Sequence, residues 1–383
     1  MHPKVEITID GQPVAGAFYE RLISVSVTDK EGIESDTFDM ELNDGPEVGF
    51  LAIPRTGAKV EIKIGYGSAQ SLGQFVVTKA TPKCLPYSMS ISGKSEDLGG
   101  SKLKEKKDRH WDNKSVKDIV NDIASDAGLS ASVDSEVGAH QYEWFGQQDE
   151  SPIHVLRRLE KRHNGLFKVK DGKLIFSARG SGNSAGGSFM GSCVVTPPMI
   201  VQGTCTFEAN DRTKYSKVVA FHQDKDKAER VSVEAEGNKD GDAEYRIPEP
   251  FSSVEEADKA AQSKAKELKR GEGSASVTVI GDPGITSGVP LLFSGVRPGL
   301  DGVPYIIDTA THTYSKGEGY RTAISAKLYD GSSASGDKKD GASSEDNGDS
   351  RSDDKVAKDA PANTPATPSD WSNYNRLGST DAN

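Results

Sequence analysis

The chain of 383 residues is poor in what most folds use to build a core or a reactive centre: aromatic side chains make up 7%, apolar ones 34%, and there are three cysteines. Cys84, Cys193 and Cys205 are odd in number and widely spaced, with no CxxC pair, which speaks against a zinc site. Cys193 and Cys205 would meet across a hairpin, but buried or idle thiols fit a reducing compartment better. No apolar stretch reaches 18 residues and MHPKVEITID has no apolar h-region. Neither a membrane segment nor a signal peptide is therefore expected, and the product should be made and kept soluble in a cytoplasm. A surplus of positive charge is missing as well. At a formal charge of −11, specific or general nucleic-acid binding through phosphate neutralisation is not expected, although an acidic surface suits a conduit that nucleic acid passes without sticking.

Catalytic signatures are equally scarce. Neither H-E-x-x-H nor G-x-S-x-G occurs. The run RGSGNSAGGSFMG, around Gly180 to Gly191, lacks both the Gly-Lys-Ser/Thr of a phosphate loop and a following helix, so it reads as a linker or hairpin loop. Seven histidines (2, 110, 140, 154, 163, 222 and 312) invite a metal search. Glu160 and His163 form one E-x-x-H, half of a di-iron set, but the other half is absent; a cation at a helix C-terminus explains His163 more simply. Glu143, Asp149 and Glu150 would serve a glycan-hydrolysing acid/base pair only at a fixed separation with one carboxyl buried, and 58 acidic residues supply many accidental pairs. Trp111, Tyr142, Trp144 and Phe145 would make a sugar-stacking platform or a partner surface, but core packing fits their density better. No catalytic, cofactor-binding or metal residue is assigned.

What is present is strand pattern. VEITI, ISVSV, TFDMEL, KVEIKI, QFVVTKAT and YSMSISGK alternate with period two over residues 1–100, predicting a first antiparallel β-barrel or sandwich with little exposed edge. Residues 101–180 predict a helix–strand–helix–hairpin insert. Ser115 caps a helix through Val116, Ile119, Val120 and Ile123 to Gly128; Gln141 to Phe145 is extended; Ser151-Pro152 opens a second helix that stops at Asn164-Gly165. Asp171-Gly172 then turns a hairpin in which Val169 faces Leu174 and Phe167 faces Phe176. Residues 181–330 predict more strands and one alanine-faced helix, opened by Ser253 with Glu256 and closed by Lys269, Arg270 and Gly271.

The two strand-rich regions echo one another. Phe75-Val76-Val77 with Ala80-Thr81 matches Tyr305-Ile306-Ile307 with Ala310-Thr311, and Tyr87, Ile91, Ser92 and Lys94 match Tyr320, Ile324, Ser325 and Lys327, each at identical spacing. This predicts two copies of one β-barrel with the helical unit between them. Three such chains would offer six near-equivalent positions, enough to mate a six-fold tube with a three-fold object.

The runs WDNKSVKDIVNDIASDAGL, QQDESPIHVLRRLEKRHNGLFKVKDGKLIF, KYSKVVAFHQD, GDPGITSGVPLLF and GVPYIIDTATHTYSKGEGYRTAISAKL resemble the late control gene D family of contractile-tailed phages, over about residues 5 to 330. That family is similar to the hub proteins of T-even phages and the hub part of type VI secretion spikes. The resemblance implies a mainly β fold with two tube-type barrels. It also implies a homotrimeric baseplate hub of the virion, assembled in the host cytoplasm, between a hexameric tail tube protein and a trimeric central spike protein. Other baseplate proteins and the tape measure would be further neighbours, with no cofactor and no catalysis. A hub of a pyocin-like or type VI particle, a peptidoglycan-degrading tail enzyme and a carbohydrate-binding module through Trp144 are the alternatives.

Residues 331–383 are polar and low in complexity, and bury too little to offset their ordering entropy, so a disordered tail is expected. Trp371, Tyr374 and Leu377, three residues apart, interrupt it and suggest a segment that docks on a partner such as the spike.

Overall fold

The computed structural model describes residues 2–331 except 15, 33–35, 96–100, 171, 181–190 and 225–228. Trp371, Tyr374, Leu377, the expected disordered tail and nearly all of the glycine-rich run lie outside these residues.

The first core gathers strands whose alternation was plain. They are β1 (Pro3–Ile9), β2 (Gln12–Pro13), β3 (Leu22–Lys30), β4 (Thr37–Asn43), β5 (Lys59–Tyr66), β6 (Gln70–Lys83) and β7 (Ser88–Ser95), with a short helix α1 (Gly16–Arg21). Val60, Ile62 and Ile64 of β5 are all buried, as are Val25 and Val27 of β3 and Phe38, Met40 and Leu42 of β4. The second core belongs to the insert: β8 (Lys107–Ser115), α2 (Val116–Ala127), β9 (Ser130–Val133), α3 (Ser135–Gly138), β10 (Gln141–Glu150), α4 (Pro152–His163), β11 (Gly165–Lys170) and β12 (Lys173–Ala178).

Both long helices of the insert start and stop where their caps predict. Ser115 and Asp118 form a reciprocal capping box, and Gly128 and Asn164 take left-handed backbone at the two C-termini. Across the hairpin β11–β12, Phe167 stacks on Phe176 with ring centroids 4.1 Å apart.

A third core is built from β13 (Cys193–Val195) and β14 (Thr206–Ala209), then, after an excursion, β18 (Gly273–Ile280), β19 (Pro290–Phe293), β20 (Tyr305–Ser315) and β21 (Gly319–Leu328). The excursion is a lobe of its own. Strands β15 (Lys217–Asp224), β16 (Glu229–Glu236) and β17 (Glu244–Phe251) carry α5 (Val254–Arg270), whose fully buried Ala257 and Ala261 let it lie close on the sheet.

The sequence echo is realised pair by pair. Val76↔Lys94, Val77↔Gly93, Lys79↔Ser92 and Ala80↔Ile91 in β6–β7 correspond to Ile306↔Lys327, Ile307↔Ala326, Thr309↔Ser325 and Ala310↔Ile324 in β20–β21, with the same one-residue bulge after Val77 and after Ile307. On the other edge Lys59↔Val76 and Val60↔Phe75 correspond to Pro290↔Ile306 and Leu291↔Tyr305. Even the entry turn repeats: Gly57 N–H donates to Val77 C=O at 2.8 Å and Gly288 N–H to Ile307 C=O at 2.7 Å, both glycines at positive φ. The strand order is shared as far as β3-β4-β7-β6-β5 against β14-β18-β21-β20-β19; the outermost strands differ, since β1 pairs antiparallel with β5 and β13 pairs parallel with β19.

The mainly β class is as expected, but the two sheets are not closed into barrels. Among the described residues β1 does not pair with β3, nor β13 with β14; instead the two curled sheets run together through β20–β3 into one sheet of thirteen strands. The bulge at Asp308 is the reason. It bends the long strand, so that its first half serves β19 of its own module and its second half reaches β3 of the other.

Candidate functional site

The residues weighed for chemistry do not converge. Glu150 is held by Arg158 at 3.0 Å and Asp149 by Lys106 at 2.9 Å, while Glu143 lies at the other end of β10, about 20 Å away along an extended strand. That exceeds the separation of a glycosidase pair. Trp111, Tyr142 and Phe145 are core residues, whereas Trp144 is 55% exposed, so the packing expectation holds for three of the four. Among the described residues no group of three or more His, Cys, Asp or Glu is placed to hold a metal ion, and all three cysteines are free.

His163 corrects its expected role as a helix-end cation. Its Nε2 lies 2.7 Å from the Tyr142 hydroxyl, and burial, with His140, Lys259 and Arg162 adding to it, pushes its pKa down to about 3. The ring is neutral and packs, which leaves Lys161 and Arg162 to face the helix terminus. Nothing in the linear sequence places His140 beside His163, so the signal was not local.

What the structure does bring together is a seam between the two modules. Seven residue pairs join β20 to β3, from Thr309↔Lys30 to Ser315↔Ser24. Ser26 meets Thr313 at 3.2 Å and Thr28 meets Thr311 at 3.4 Å across it. Beside the seam Asp29 accepts hydrogen bonds from Ser287 N–H (2.9 Å), Ser287 Oγ (2.8 Å) and Lys168 Nζ (2.7 Å), so one carboxylate ties the first module to the second and to the insert. Burial alone would raise its pKa, but Lys168 and the Ser287 donors more than offset this and hold the carboxyl below its ordinary value. Nearby Asp36, 3.7 Å from the same lysine, is pushed up to about 6, chiefly by burial.

The insert and the lobe are locked to the modules by a second polar cluster. Ser263 of α5 accepts the Asn164 N–H at 3.0 Å and donates to Lys161 C=O at 2.5 Å, and Arg270 reaches both Asn164 Oδ1 (2.8 Å) and Asp330. Between these parts lies a cavity of about 660 Å³ lined by Glu31, Arg157, Glu160, Arg179, Arg270 and Asp308 among others. Burial drives Glu160 up to about 7, even though its Oε1 accepts the Phe167 N–H at 2.6 Å. The chemistry of most of these groups is that of fasteners, with pairs such as Lys168–Asp29 and Arg270–Asp330 made within the chain and holding four cores in one arrangement, while Glu31 keeps one buried carboxylate oxygen without a hydrogen-bond partner.

The fold is similar to that of solved phage tail proteins. The 43 kDa tail protein of prophage MuSo2 from Shewanella oneidensis superposes with a TM-score of 0.66 at 17% identity, covering 86% of this chain and 99% of that one. The model of the phage tail baseplate hub (GPD) family matches residues 30–318, and the chain belongs to that family. Two relatives, each described as a probable baseplate hub protein, come from Escherichia phages 186 and P2. They are 26% and 25% identical over 365 and 366 residues, covering 85% of this chain and 93% of each relative. The protein is thus a baseplate hub of contractile-tailed phages, a structural component of the virion tail. No described helix is long and apolar enough to cross a membrane.

Proposed function

We propose that three copies of this hub form a ring that adapts the hexameric tail tube protein to the trimeric central spike protein. The observation that carries this reading is the repeated register: one chain holds two sheets with matching ladders, bulge and entry turn, so a threefold assembly presents six near-equivalent edges. The two modules would be the tube-type domains over residues 1–100 and 181–330, with 101–180 packed against them and 331–383 as a tail. Assembly takes place in the host cytoplasm, with the tape measure and other baseplate proteins as later contacts, and the hub acts without a catalytic step.

Light scattering on the purified protein, alone and mixed with spike, tests the ring. A threefold mass is expected in at least the mixture, and a mass of one or two chains in both overturns it. Zymography on peptidoglycan should show no clearing. Trp371, Tyr374 and Leu377 would dock on the spike, so deleting residues 360–383 should weaken hub–spike co-purification; unchanged recovery removes that assignment.

A further inference from the structure

The duplication says more than how many sheets there are; it says which edge is left over. In the second module the far half of β20 lies against β3. In the first module the corresponding half of β6, from Thr78 to Lys83, pairs with β7 on one side and with no strand on the other among the described residues. The counterpart of β3 is β14: Ser26 and Val27 lie opposite Asp39 and Phe38, as Thr206 and Phe207 lie opposite Ser276 and Ala275. Strand β14 pairs with β18 on one side, and its other edge is likewise open among the described residues. One chain therefore ends in two complementary halves of a seam it has already made once.

We propose that β6 of one copy pairs antiparallel with β14 of the next, in the register of the β20–β3 seam. This rests on the ring reading above and specifies its contact. Carrying the internal pairs across, Thr311↔Thr28 becomes Thr81 opposite Glu208, and Thr313↔Ser26 becomes Lys83 opposite Thr206. Lys79, Thr81 and Lys83 share one face of β6. Glu208 thus comes to lie between two lysines, each within the roughly 7–8 Å diagonal spacing of an antiparallel ladder. Within the described residues Lys79, Lys83 and Glu208 have no ion-pair partner, so the seam supplies one to each. Pro82 corresponds to His312, whose backbone faces β3, so the ladder between copies carries one N–H donor fewer than the internal seam and its charge pairs carry more of the contact. The contact is head-to-tail, so it propagates from copy to copy and is satisfied only when a ring closes.

The same register carries Tyr314↔Val25 to Cys84 and Cys205. Cys84 is exposed and Cys205 half-buried, and residues opposite one another in such a ladder have Cα atoms about 4.5–5.5 Å apart. A short bismaleimide, which adds one thiol across each of its two double bonds and needs no oxidant, should therefore link the chains covalently. On a denaturing gel a species of three chains is expected. It should vanish in Cys84→Ser and in Cys205→Ser and persist in Cys193→Ser.

As a second readout, Glu208→Lys should weaken self-association roughly fivefold, with recovery in the triple variant that adds Lys79→Glu and Lys83→Glu. The sample's mass is measured alongside. A threefold mass with no link through Cys84 and Cys205 and no charge-swap recovery overturns the seam but leaves the ring. A protein that stays single-chain with and without spike overturns both.

Discussion

Strands β6 and β20 start from one ladder and end in different company. Through the bulge they are interchangeable, since Val77 and Ile307 are both buried, each accepts the N–H of a glycine in an equivalent turn, and each is followed by one residue that the next strand's ladder skips. Past it, β20 is nailed down by Asp29, Ser287 and Lys168, whereas the position of Asp29 in the other copy is held by Ala209. The internal seam is fastened within the chain, and the outer edge carries no such fastener. A duplicated domain keeps the contacts that shape it and diverges at the contacts that choose its neighbour.

The cores show the same division at a finer scale, and offer the most damaging way to break the comparison. Gly93 lies opposite Phe38 in the first module; Ala326 lies opposite Ala275 in the second. A Cβ on Gly93 would stand 2.3 Å from the Phe38 ring and 2.4 Å from the Val76 carbonyl oxygen, one a packed aromatic and the other backbone. Gly93→Ala should therefore cost about 3 kcal/mol in urea unfolding, whereas Ala326→Gly should cost about 1 kcal/mol, mostly entropy. Because the clash is shared, Phe38→Ala with Gly93→Ala recreates the second module's pair. The double variant should lose measurably less than the sum of its single changes. Strict additivity would mean that the two sheets do not pack as equivalents.

Next in size is the seam. Asp29→Ala leaves Lys168 half-buried and strips two donors of their acceptor, for an expected loss of about 2–3 kcal/mol. The loss stays below the full cost of a broken buried pair because Asp36 is 3.7 Å from the same lysine and gains charge once Asp29 no longer repels it. Ala209→Ser, at the equivalent exposed position, should change stability by no more than about 0.5 kcal/mol. Equal losses at both would erase the distinction between inner and outer seams.

Much of this was legible along the chain, and the division again follows the physics. Period-two strands with one wet face, such as Val60-Ile62-Ile64, and helices with both caps, such as Ser115 to Gly128, carry their structure in neighbouring residues. The repeat was legible because a bulge fixes spacing, so Ala80-Thr81 and Ala310-Thr311 stayed in step with their strands. Three features left no local signal. The polar strand β8, KDRHWDNKS, forms only because β10 lies beside it, and β17, with two prolines, is an edge strand. Pairing of β3 with β20 joins residues 279 or more positions apart and depends on which module the bulge aims at, so closed barrels were the natural but incorrect expectation. The lock of Asn164, Ser263 and Arg270 likewise exists only once the insert and the lobe meet beside Asp330.

An effect smaller than those at Gly93 and Asp29 is a pH dependence, and it tests whether that meeting point is a rigid fastener. Glu160 titrates at about 7 in the folded protein, with burial as the chief cause, against the 4.5 of an ordinary glutamate. Its folded pKa is raised, so the stability it contributes is fully present below pH 4.5 and is lost as pH rises through about 7. His163 works in the opposite sense. Depressed from 6.5 to about 3, it contributes stability above pH 6.5 that is lost as pH falls towards 3. The wild-type profile mixes the two, and a difference profile separates them.

Glu160→Gln keeps an oxygen for the Phe167 N–H but removes the proton, so its stability relative to wild type should rise by about 1–2 kcal/mol between pH 4.5 and pH 8, discounted for partial exposure. Urea midpoints at those two pH values measure it. A flat difference would mean that Arg157 and Arg179, which line the same cavity, already neutralise the carboxylate, and that the junction between the modules holds an ion pair rather than a proton.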